Sequence, residues 1–336
     1  MSFKQLKTSG KDTSLSPEEQ QAKIDDVRKL IGPIADKLPV LCSDASISRY
    51  LRARNWNTKK ATKMLKETLK WRLEYKPEKI RWEDVAHEAE TGKIYRASFC
   101  DKLGRPVLVM RPGFQNTNSA SGQIKYLVYC MENAVMNMSQ DQEQMVWLVD
   151  FQQWARASIS IKVTRETAHI LQDHYPERLA VGILYNPPKI FESFWTMVKP
   201  FLETKTYKKV HFVYSDDLKS QKIMEEVFDM DQLDAAFGGR NRAGFDYQVY
   251  AQQMKEDDIK RSNYTSPSYS ASILSESRPS ESSDIDRDSN DSDEVGLSSS
   301  DEATPSDLEY INEKTQELSL GCKDVAMATA AAARVQ

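Results

Sequence analysis

The stretch from Asp173 to Val213 holds the residues whose types and spacing suggest chemistry. Its central segment, Lys189–Phe201, carries apolar side chains at spacings of one, three and four, which predicts a helix with a wide apolar face. Those side chains are Ile190, Phe191, Phe194, Trp195, Met197, Val198 and Phe201. Three lysines follow directly, at Lys205, Lys208 and Lys209. An apolar helix beside clustered ammonium groups can hold an acyl chain together with its charged head, so the pattern indicates lipid binding.

Patterns typical of enzymes and metal sites are weak along the chain. No Gly-x-Ser-x-Gly and no His-Glu-x-x-His occurs, and Gly238-Gly239 does not open a helix after a strand. An esterase using Asp150, either His169 or His174, and a nearby serine is an alternative, although such histidines more often cap helix ends. The four cysteines are scattered and lack metal-ligand spacing. The sequence therefore predicts a non-enzymatic protein with no metal and no cofactor other than a lipid ligand.

Several motifs resemble the CRAL-TRIO lipid-binding family and, within it, the Sec-fourteen-like phosphatidylinositol-transfer branch. The motifs are RYLRARNWNTKKATKML at Arg49–Leu65, DKLGRPV at Asp101–Val107, YPERL at Tyr175–Leu179, Asn186-Pro187-Pro188, KPFL at Lys199–Leu202 and Phe237-Gly238-Gly239. They fall in the order of the family, and the resemblance covers roughly residues 41 to 245. It implies an α/β fold whose mostly parallel sheet, with helical crossovers, encloses a lipid pocket and follows a small helical lobe.

The resemblance also implies which residues bind the head of the lipid. In the phosphatidylinositol-binding branch, residues at the positions of Arg54, Glu177, Thr206 and Lys209 contact the inositol phosphate. We interpret Arg54 and Lys209 as cations for the phosphate, and Glu177 with Thr206 as partners of the ring hydroxyls. Each charged residue also has a plainer explanation. Arg54 would be an ordinary surface arginine, Glu177 would form a structural ion pair with Arg178, and Lys209 would belong to a solvated run of charge with its neighbouring lysines.

The helix Lys189–Phe201 resembles the gating helix of the family, which covers the pocket mouth and swings to admit lipid at a membrane. Its apolar face would cover the cavity in solution and enter the acyl boundary during exchange. An ordinary core helix packed in an α/β layer would explain the same composition.

Two positions depart from the branch that exchanges phosphatidylinositol for phosphatidylcholine. Met145 and Trp147 stand where that branch has hydroxyl residues for the choline head, which argues against phosphatidylcholine as a ligand. A sterol, another phospholipid or no second ligand are the alternatives. The presence of Glu177 and Lys209 argues against a tocopherol-like or retinoid ligand, because such molecules have no phosphate to satisfy.

The elements that position these residues follow from caps and periodicity. Ser16-Pro17-Glu18-Glu19 predicts a helix start, and the helical lobe is expected to span residues 16–80. Strands alternate with helices over residues 86–245, which predicts a mostly parallel sheet. Strands are predicted at Ile94–Phe99, Val107–Met110, Val146–Phe151, Val181–Leu184 and Val210–Tyr214, with helices at Ile47–Arg54, Thr58–Leu73, Gln123–Met138, Ile161–Gln172 and Asp217–Phe228.

The charge of the chain is unevenly distributed. Residues 271–310 contain twelve acids and two arginines, so the net charge of −4 leaves +6 on the remaining residues. That basic part could approach anionic lipid. Residues 1–15 and 255–336 are predicted to be disordered, because such compositions cannot bury enough apolar surface. The acidic tail could recruit a kinase or another protein partner.

The sequence contains no apolar run long enough to span a bilayer, and its start lacks the apolar core of a signal peptide. We therefore expect a cytoplasmic monomer that meets membrane surfaces transiently and peripherally, with no nucleic-acid partner. Its expected function is to bind a phospholipid, phosphatidylinositol first, in an internal apolar pocket and to transfer or present it between membranes. The alternatives are a carrier of another hydrophobic ligand, such as a sterol, and a lipid-sensing regulator or scaffold.

Overall fold

The computed structural model describes residues 15–139, 141–155 and 160–264. Its α-helices are α1 Pro17–Ile31, α2 Asp44–Ala53, α3 Thr58–Tyr75, α4 Trp82–Ala89, α5 Ala120–Met136, α6 Ile161–His174, α7 Lys189–Val198, α8 Thr204–Tyr207, α9 Leu218–Val227 and α10 Tyr247–Tyr264. Its strands are β1 Ile94–Cys100, β2 Pro106–Met110, β3 Met145–Asp150, β4 Leu179–Tyr185 and β5 Val210–Val213. None of the helices in the described ranges has the length and apolarity needed to cross a bilayer.

The first three helices form the predicted helical lobe around one core. The predicted start of α1 is confirmed: the Ser16 hydroxyl accepts a hydrogen bond from the Glu19 amide at 3.2 Å, and the Glu19 carboxylate accepts from the Ser16 amide at 2.7 Å. The core of the lobe is apolar and closed to solvent, and its fully buried members are Val27, Ile47, Leu51, Ala61, Leu65 and Leu69.

The five strands form one sheet in the order β1-β2-β3-β4-β5. β1 pairs antiparallel with β2 and the other neighbours pair in parallel, so the predicted fold class is confirmed. Side chains alternate between the two faces of a strand. On β3, Val146 and Leu148 belong to the core that includes α5, whereas Val149 packs against the cluster formed with α7. The sheet is therefore covered by α5 on one face and by α7 on the other.

Helix α10 extends the folded region beyond the predicted start of the tail. Asp257 accepts hydrogen bonds from Arg96 at 2.7 Å and from Asn133 at 2.9 Å, and Asp258 accepts one from the Trp82 amide at 2.6 Å. Both carboxylates are buried, and buried charge requires such partners. Residues 255–264 thus belong to an anchored helix, which corrects the prediction that they start a disordered tail. Residues 1–14 and 265–336 lie outside the described residues.

A buried ion pair joins α3 of the helical lobe to α5 behind the sheet. Both terminal nitrogens of Arg72 donate to the Glu132 carboxylate at 2.8 Å, and the Tyr175 hydroxyl donates to the same carboxylate at 2.6 Å. Burial alone would raise the pKa of Glu132, but Arg72 outweighs it and holds that pKa below its usual range. The pair fixes Tyr175, the first residue of the YPERL motif, against both lobes.

His174 closes α6 on the same interface. Its ring stacks on Trp71 of α3 with centroids 4.1 Å apart, and its Nδ1 atom lies 3.2 Å from the Thr68 hydroxyl. Burial, followed by the charge of Arg72, lowers the pKa of His174 to about 4. The neutral imidazole is therefore the form that the folded protein stabilises.

We expect acid to destabilise the protein through His174. Its pKa in the folded state is below the unfolded value of about 6.5, so the unfolded chain binds the proton more tightly. The neutral ring makes its full contribution to the free energy of unfolding above about pH 6.5 and loses it as the pH falls toward about 4. We expect this loss to be roughly 2 kcal/mol, after allowing for partial solvent exposure. Urea unfolding of His174→Phe should show a smaller loss between these pH values than the wild type. His169→Phe, which alters an exposed imidazole on the same helix, is the matched control. A loss of stability in His174→Phe equal to that of the wild type would contradict the assignment.

Candidate functional site

Three of the four residues predicted to bind the lipid head come together at one edge of the sheet. Glu177 precedes β4, while Thr206 and Lys209 precede β5. Because β4 and β5 are parallel, their amino ends meet at the same edge. There the three side chains line a cavity of about 50 Å³, which we call the head-group cavity. Its other lining residues are Ala53, Trp147, Leu171, Gln172, Tyr175, Pro176, Arg178, Leu179, Glu203 and Lys205.

Glu177 and Lys209 face each other across this cavity. The Lys209 ammonium lies 3.6 Å from the Glu177 carboxylate and donates a hydrogen bond of 2.7 Å to the Leu179 carbonyl. Glu177 has a φ of 58°, in the left-handed region that costs a residue with a side chain roughly 1–3 kcal/mol. An ammonium group has three donors, so this loose pair leaves Lys209 with donor capacity for a ligand.

Thr206 lies on the short helix α8, which begins directly after Glu203. Its amide donates to the Glu203 carbonyl at 2.9 Å, and its carbonyl accepts from the Lys209 amide at 3.1 Å. These backbone bonds hold α8 at the mouth of β5. Within the described residues the Thr206 hydroxyl has no hydrogen-bond partner, so it is free to bind a polar ligand.

Arg54 lies beside the cavity and not in its wall. It ends α2, and its guanidinium donates to the Glu203 carboxylate at 2.8 Å. Glu203 itself lines the cavity. The structure thus brings three of the four predicted residues together and places Arg54 one contact away. Sequence reasoning missed Glu203, although its position three residues before Thr206 could have drawn attention to it.

Arg178 adds a positive charge that the sequence did not assign to the ligand. The Glu177–Arg178 ion pair, one of the plainer explanations, does not form: Arg178 donates instead to the Glu143 carbonyl at 2.9 Å, and no carboxylate of the described residues lies within salt-bridge distance of it. Burial, followed by the charge of Arg49, lowers the pKa of Arg178 to about 10. The guanidinium remains charged at neutral pH, and the carboxylates of Glu143 and Glu132 act on it only from beyond salt-bridge distance.

The wall of the head-group cavity is therefore positive. Arg178, Lys205 and Lys209 contribute three cations against the two carboxylates of Glu177 and Glu203. An anionic group such as a phosphate would lower the electrostatic cost of this arrangement. The wall also offers partners for hydroxyl groups, because Glu177 is an acceptor and Thr206 both donates and accepts.

Trp147 of β3 lines the same cavity and carries an unsatisfied donor. Its indole nitrogen is buried and has no hydrogen-bond partner among the described residues. Such a group costs about 1–3 kcal/mol until an acceptor reaches it. Met145, the other position that departs from the phosphatidylcholine-exchanging branch, is fully buried in the main core and does not line the cavity.

The aromatic helix α7 lies directly on the sheet. Phe191 and Phe194 are buried at 5% and 6% exposure, and the Phe191 ring packs on Phe151 with centroids 4.3 Å apart. Trp195 packs edge-on against Phe212 of β5 at 5.8 Å. We use the name lid cluster for Phe151, Leu184, Phe191, Phe194, Trp195 and Phe212. It fills the space between α7 and the sheet, and none of its members lines the head-group cavity. At about 50 Å³, that cavity is far smaller than the about 300–1,000 Å³ that larger ligands need.

The remaining residues predicted on this helix differ in environment. Ile190 is 43% exposed, whereas Phe201 is half-buried in a 3₁₀ turn, Lys199–Phe201, that follows the end of α7 at Val198. The predicted helix Lys189–Phe201 is thus shorter by three residues, since Pro200 cannot donate the hydrogen bond that continuation requires. The side chain of Val198 lies outside the described residues.

The residues of the esterase alternative have separate partners. His169 is exposed, with its nearest carboxylate at Asp173, and His174 is stacked on Trp71. Asp150 pairs with Arg111 at 3.4 Å and accepts a hydrogen bond from the Gln152 amide at 2.9 Å. Neither imidazole is hydrogen-bonded to Asp150 in the described structure, so the relay that nucleophilic catalysis needs is not assembled there.

Comparison with known proteins follows the same division into lobes. The sequence matches the family model of the CRAL/TRIO domain over residues 89–239. It matches the family model of the CRAL/TRIO N-terminal domain over residues 4–67. The chain is 35% identical to the phosphatidylinositol transfer protein PDR17 of Saccharomyces cerevisiae over 243 residues, 68% of this chain and 67% of that protein. It is 25% identical to the phosphatidylinositol transfer protein CSR1 of Eremothecium gossypii over 217 residues, 60% of this chain but only 48% of that protein.

The fold has a counterpart among solved structures. The crystal structure of Sfh5 matches with a TM-score of 0.57 and 15% sequence identity, over 78% of this chain and 99% of that one. At this identity the likeness concerns the fold alone.

Proposed function

This chain belongs to the CRAL/TRIO lipid-binding family, and on that premise we propose that it binds phosphatidylinositol and transfers or presents it between membranes. The observation that carries the proposal is the positive head-group cavity where Glu177, Thr206 and Lys209 meet Arg178. Two relatives, at 35% and 25% identity, are named phosphatidylinositol transfer proteins, which supports the choice of lipid.

In the proposed complex the phosphate lies in the head-group cavity, where the positive charge of the wall exceeds the negative charge. Lys209 and Arg178 supply the cationic donors, and the Trp147 indole supplies a neutral one. Lys209 would then leave its loose contact with Glu177, whose carboxylate becomes available to the ring hydroxyls together with the Thr206 hydroxyl. Arg54 joins the phosphate only by exchanging its bond to Glu203, which makes it an auxiliary cation.

The acyl chains require space that the lid cluster now occupies. Movement of α7 away from the sheet would uncover Val149, Leu184 and Phe212 as an apolar floor and expose the aromatic face of α7. A bilayer compensates for that exposure, because aromatic and aliphatic side chains partition into the acyl boundary. Helix α7 therefore acts as the lid: closed in water, open on a membrane.

A vesicle assay tests this function directly. Donor vesicles would carry labelled phosphatidylinositol, phosphatidylcholine or a sterol in parallel, and acceptor vesicles would be collected after incubation with the full chain. We expect accelerated movement of phosphatidylinositol, with phosphatidylcholine and the sterol near the uncatalysed rate. Movement of the sterol without phosphatidylinositol, or of none of the three, would overturn the proposal.

Arg178 provides a graded test of the charge argument. Arg178→Met keeps the length and apolar stem of the side chain but removes its charge, so phosphatidylinositol binding should weaken about tenfold or more. Arg178→Lys should retain most of the affinity, because it preserves the charge. The measurement is retention of labelled phosphatidylinositol after gel filtration, with the urea midpoint as the control for folding. If Arg178→Met bound phosphatidylinositol as tightly as the wild type, Arg178 would not be a ligand of the phosphate.

A further inference from the structure

A row of lysines lies along the exposed face of α3. Lys59, Lys63, Lys66 and Lys70 follow one another at spacings of four, three and four, which places them on one side of the helix. Together with Leu30 of α1 they line a groove of about 380 Å³, and we call the four residues the lysine stripe. Leu30 is 48% exposed although it is apolar.

The stripe is not neutralised within the fold. Among the described residues, the lysines that have a carboxylate within 4 Å are Lys93, Lys125, Lys209 and Lys260, and none of them belongs to the stripe. The groove contains one acid, Glu67, against four ammonium groups. Like charges at such spacings repel each other, and Lys59 also faces the positive end of the helix dipole. The arrangement is thus unfavourable until an external anion approaches it.

The shape of the stripe indicates an extended anionic partner. Its four charges are spread over about 16 Å of helix at 1.5 Å per residue, whereas a single small anion needs converging donors. The exposed Leu30 beside the row adds an apolar contact of the kind that enters a bilayer interface. None of these residues lines the head-group cavity, so the stripe is a separate surface.

We propose that the lysine stripe docks the helical lobe on membranes that contain anionic phospholipid. This inference rests on the proposed function, because a lipid carrier must visit membranes to load and unload. The stripe would hold the protein at the surface independently of whether α7 is open. A membrane is favoured over a nucleic acid, since the groove combines the four cations with an exposed leucine and contains no aromatic side chain for base stacking.

The test compares two variants of equal net charge. In the stripe variant, Lys59→Gln, Lys63→Gln, Lys66→Gln and Lys70→Gln are combined; glutamine keeps a similar helix propensity. The control variant combines Lys162→Gln, Lys219→Gln, Lys222→Gln and Lys255→Gln at exposed sites elsewhere. Co-sedimentation would be measured with phosphatidylcholine vesicles, with and without phosphatidylserine, at low and physiological salt.

We expect the wild type and the control variant to bind the phosphatidylserine vesicles, and the stripe variant to bind them several hundredfold more weakly, at about fivefold per lysine. Added salt should weaken wild-type binding. Equal losses in both variants, wild-type binding by the stripe variant, or equal binding of the wild type to neutral vesicles would each overturn the inference. Binding of the wild type to DNA but not to vesicles would overturn it as well.

A second readout separates this inference from the function on which it rests. The stripe variant should still contain phosphatidylinositol at the wild-type level when purified, since the intact cavity sets the occupancy at equilibrium and weaker docking only slows loading. If the wild type contains no phosphatidylinositol, the proposed function fails whatever the vesicles show. If both proteins contain it and both bind vesicles equally, only the docking surface is wrong.

Discussion

Lys209→Ala should reduce phosphatidylinositol transfer to background without unfolding the protein. The Lys209 ammonium lies 3.6 Å from the Glu177 carboxylate in the head-group cavity. Removal of the Lys209 ammonium deprives the lipid phosphate of one cation. It also leaves the Glu177 carboxylate without its partner, so that this carboxylate repels the phosphate. A charge-assisted contact contributes about 1.5–3 kcal/mol, so the affinity should fall at least about 10- to 150-fold from the lost contact alone.

Lys208→Ala is the matched control for this prediction. Lys208 is adjacent in sequence, exposed, and not part of the cavity wall. It should transfer phosphatidylinositol at the wild-type rate, and both variants should keep urea midpoints close to that of the wild type. Transfer by Lys209→Ala at the rate of Lys208→Ala would reject the assignment of Lys209 to the lipid head.

Glu132→Ala should cost about 3–5 kcal/mol of unfolding free energy, the largest effect on stability that we expect. The variant leaves the Arg72 guanidinium buried at 10% side-chain exposure without its bidentate partner. It also removes the acceptor of the Tyr175 hydroxyl. The physical cause is an uncompensated buried charge, and the lost attraction is only part of the effect.

The double variant Arg72→Met/Glu132→Met separates these two causes. If the cost comes from the stranded charge, removal of both charges should restore much of the stability lost in Glu132→Ala. Urea unfolding of Arg72→Met, Glu132→Met and the double variant gives the coupling energy. A single-variant cost below about 1 kcal/mol, or a double variant as unstable as the sum of the singles, would contradict this account.

The pattern of strands and helices was sufficient for the fold class, whereas the grouping of Glu177, Thr206 and Lys209 was implied by the family resemblance. Alternating strands and helices require a parallel sheet, and parallel strands bring their amino ends to one edge. Glu177 before β4 and Lys209 before β5 lie together because these two strands are neighbours in the sheet, an order that the alternation of elements does not determine. Similarly, the reciprocal cap of Ser16 and Glu19 is a local pattern, so it could be read without any tertiary information.

Other features depend on contacts that no local pattern contains. Asp257 and Asp258 resemble the acidic tail in composition, and only their distant partners, Arg96 and Trp82, reveal that they anchor α10. Glu177 and Arg178 look like an ion pair in sequence, yet the left-handed backbone at Glu177 accompanies a different outcome: Arg178 bonds to the Glu143 carbonyl. The tight packing of the lid cluster also depends on how α7 meets the sheet.

Mass spectrometry of the lipids that co-purify with the protein tests the central claim most directly. We predict phosphatidylinositol in the wild type at up to one molecule per chain, and its loss in Lys209→Ala but not in Lys208→Ala. A sterol as the sole ligand, an absence of lipid after exposure to phosphatidylinositol vesicles, or equal phosphatidylinositol in both lysine variants would contradict the account.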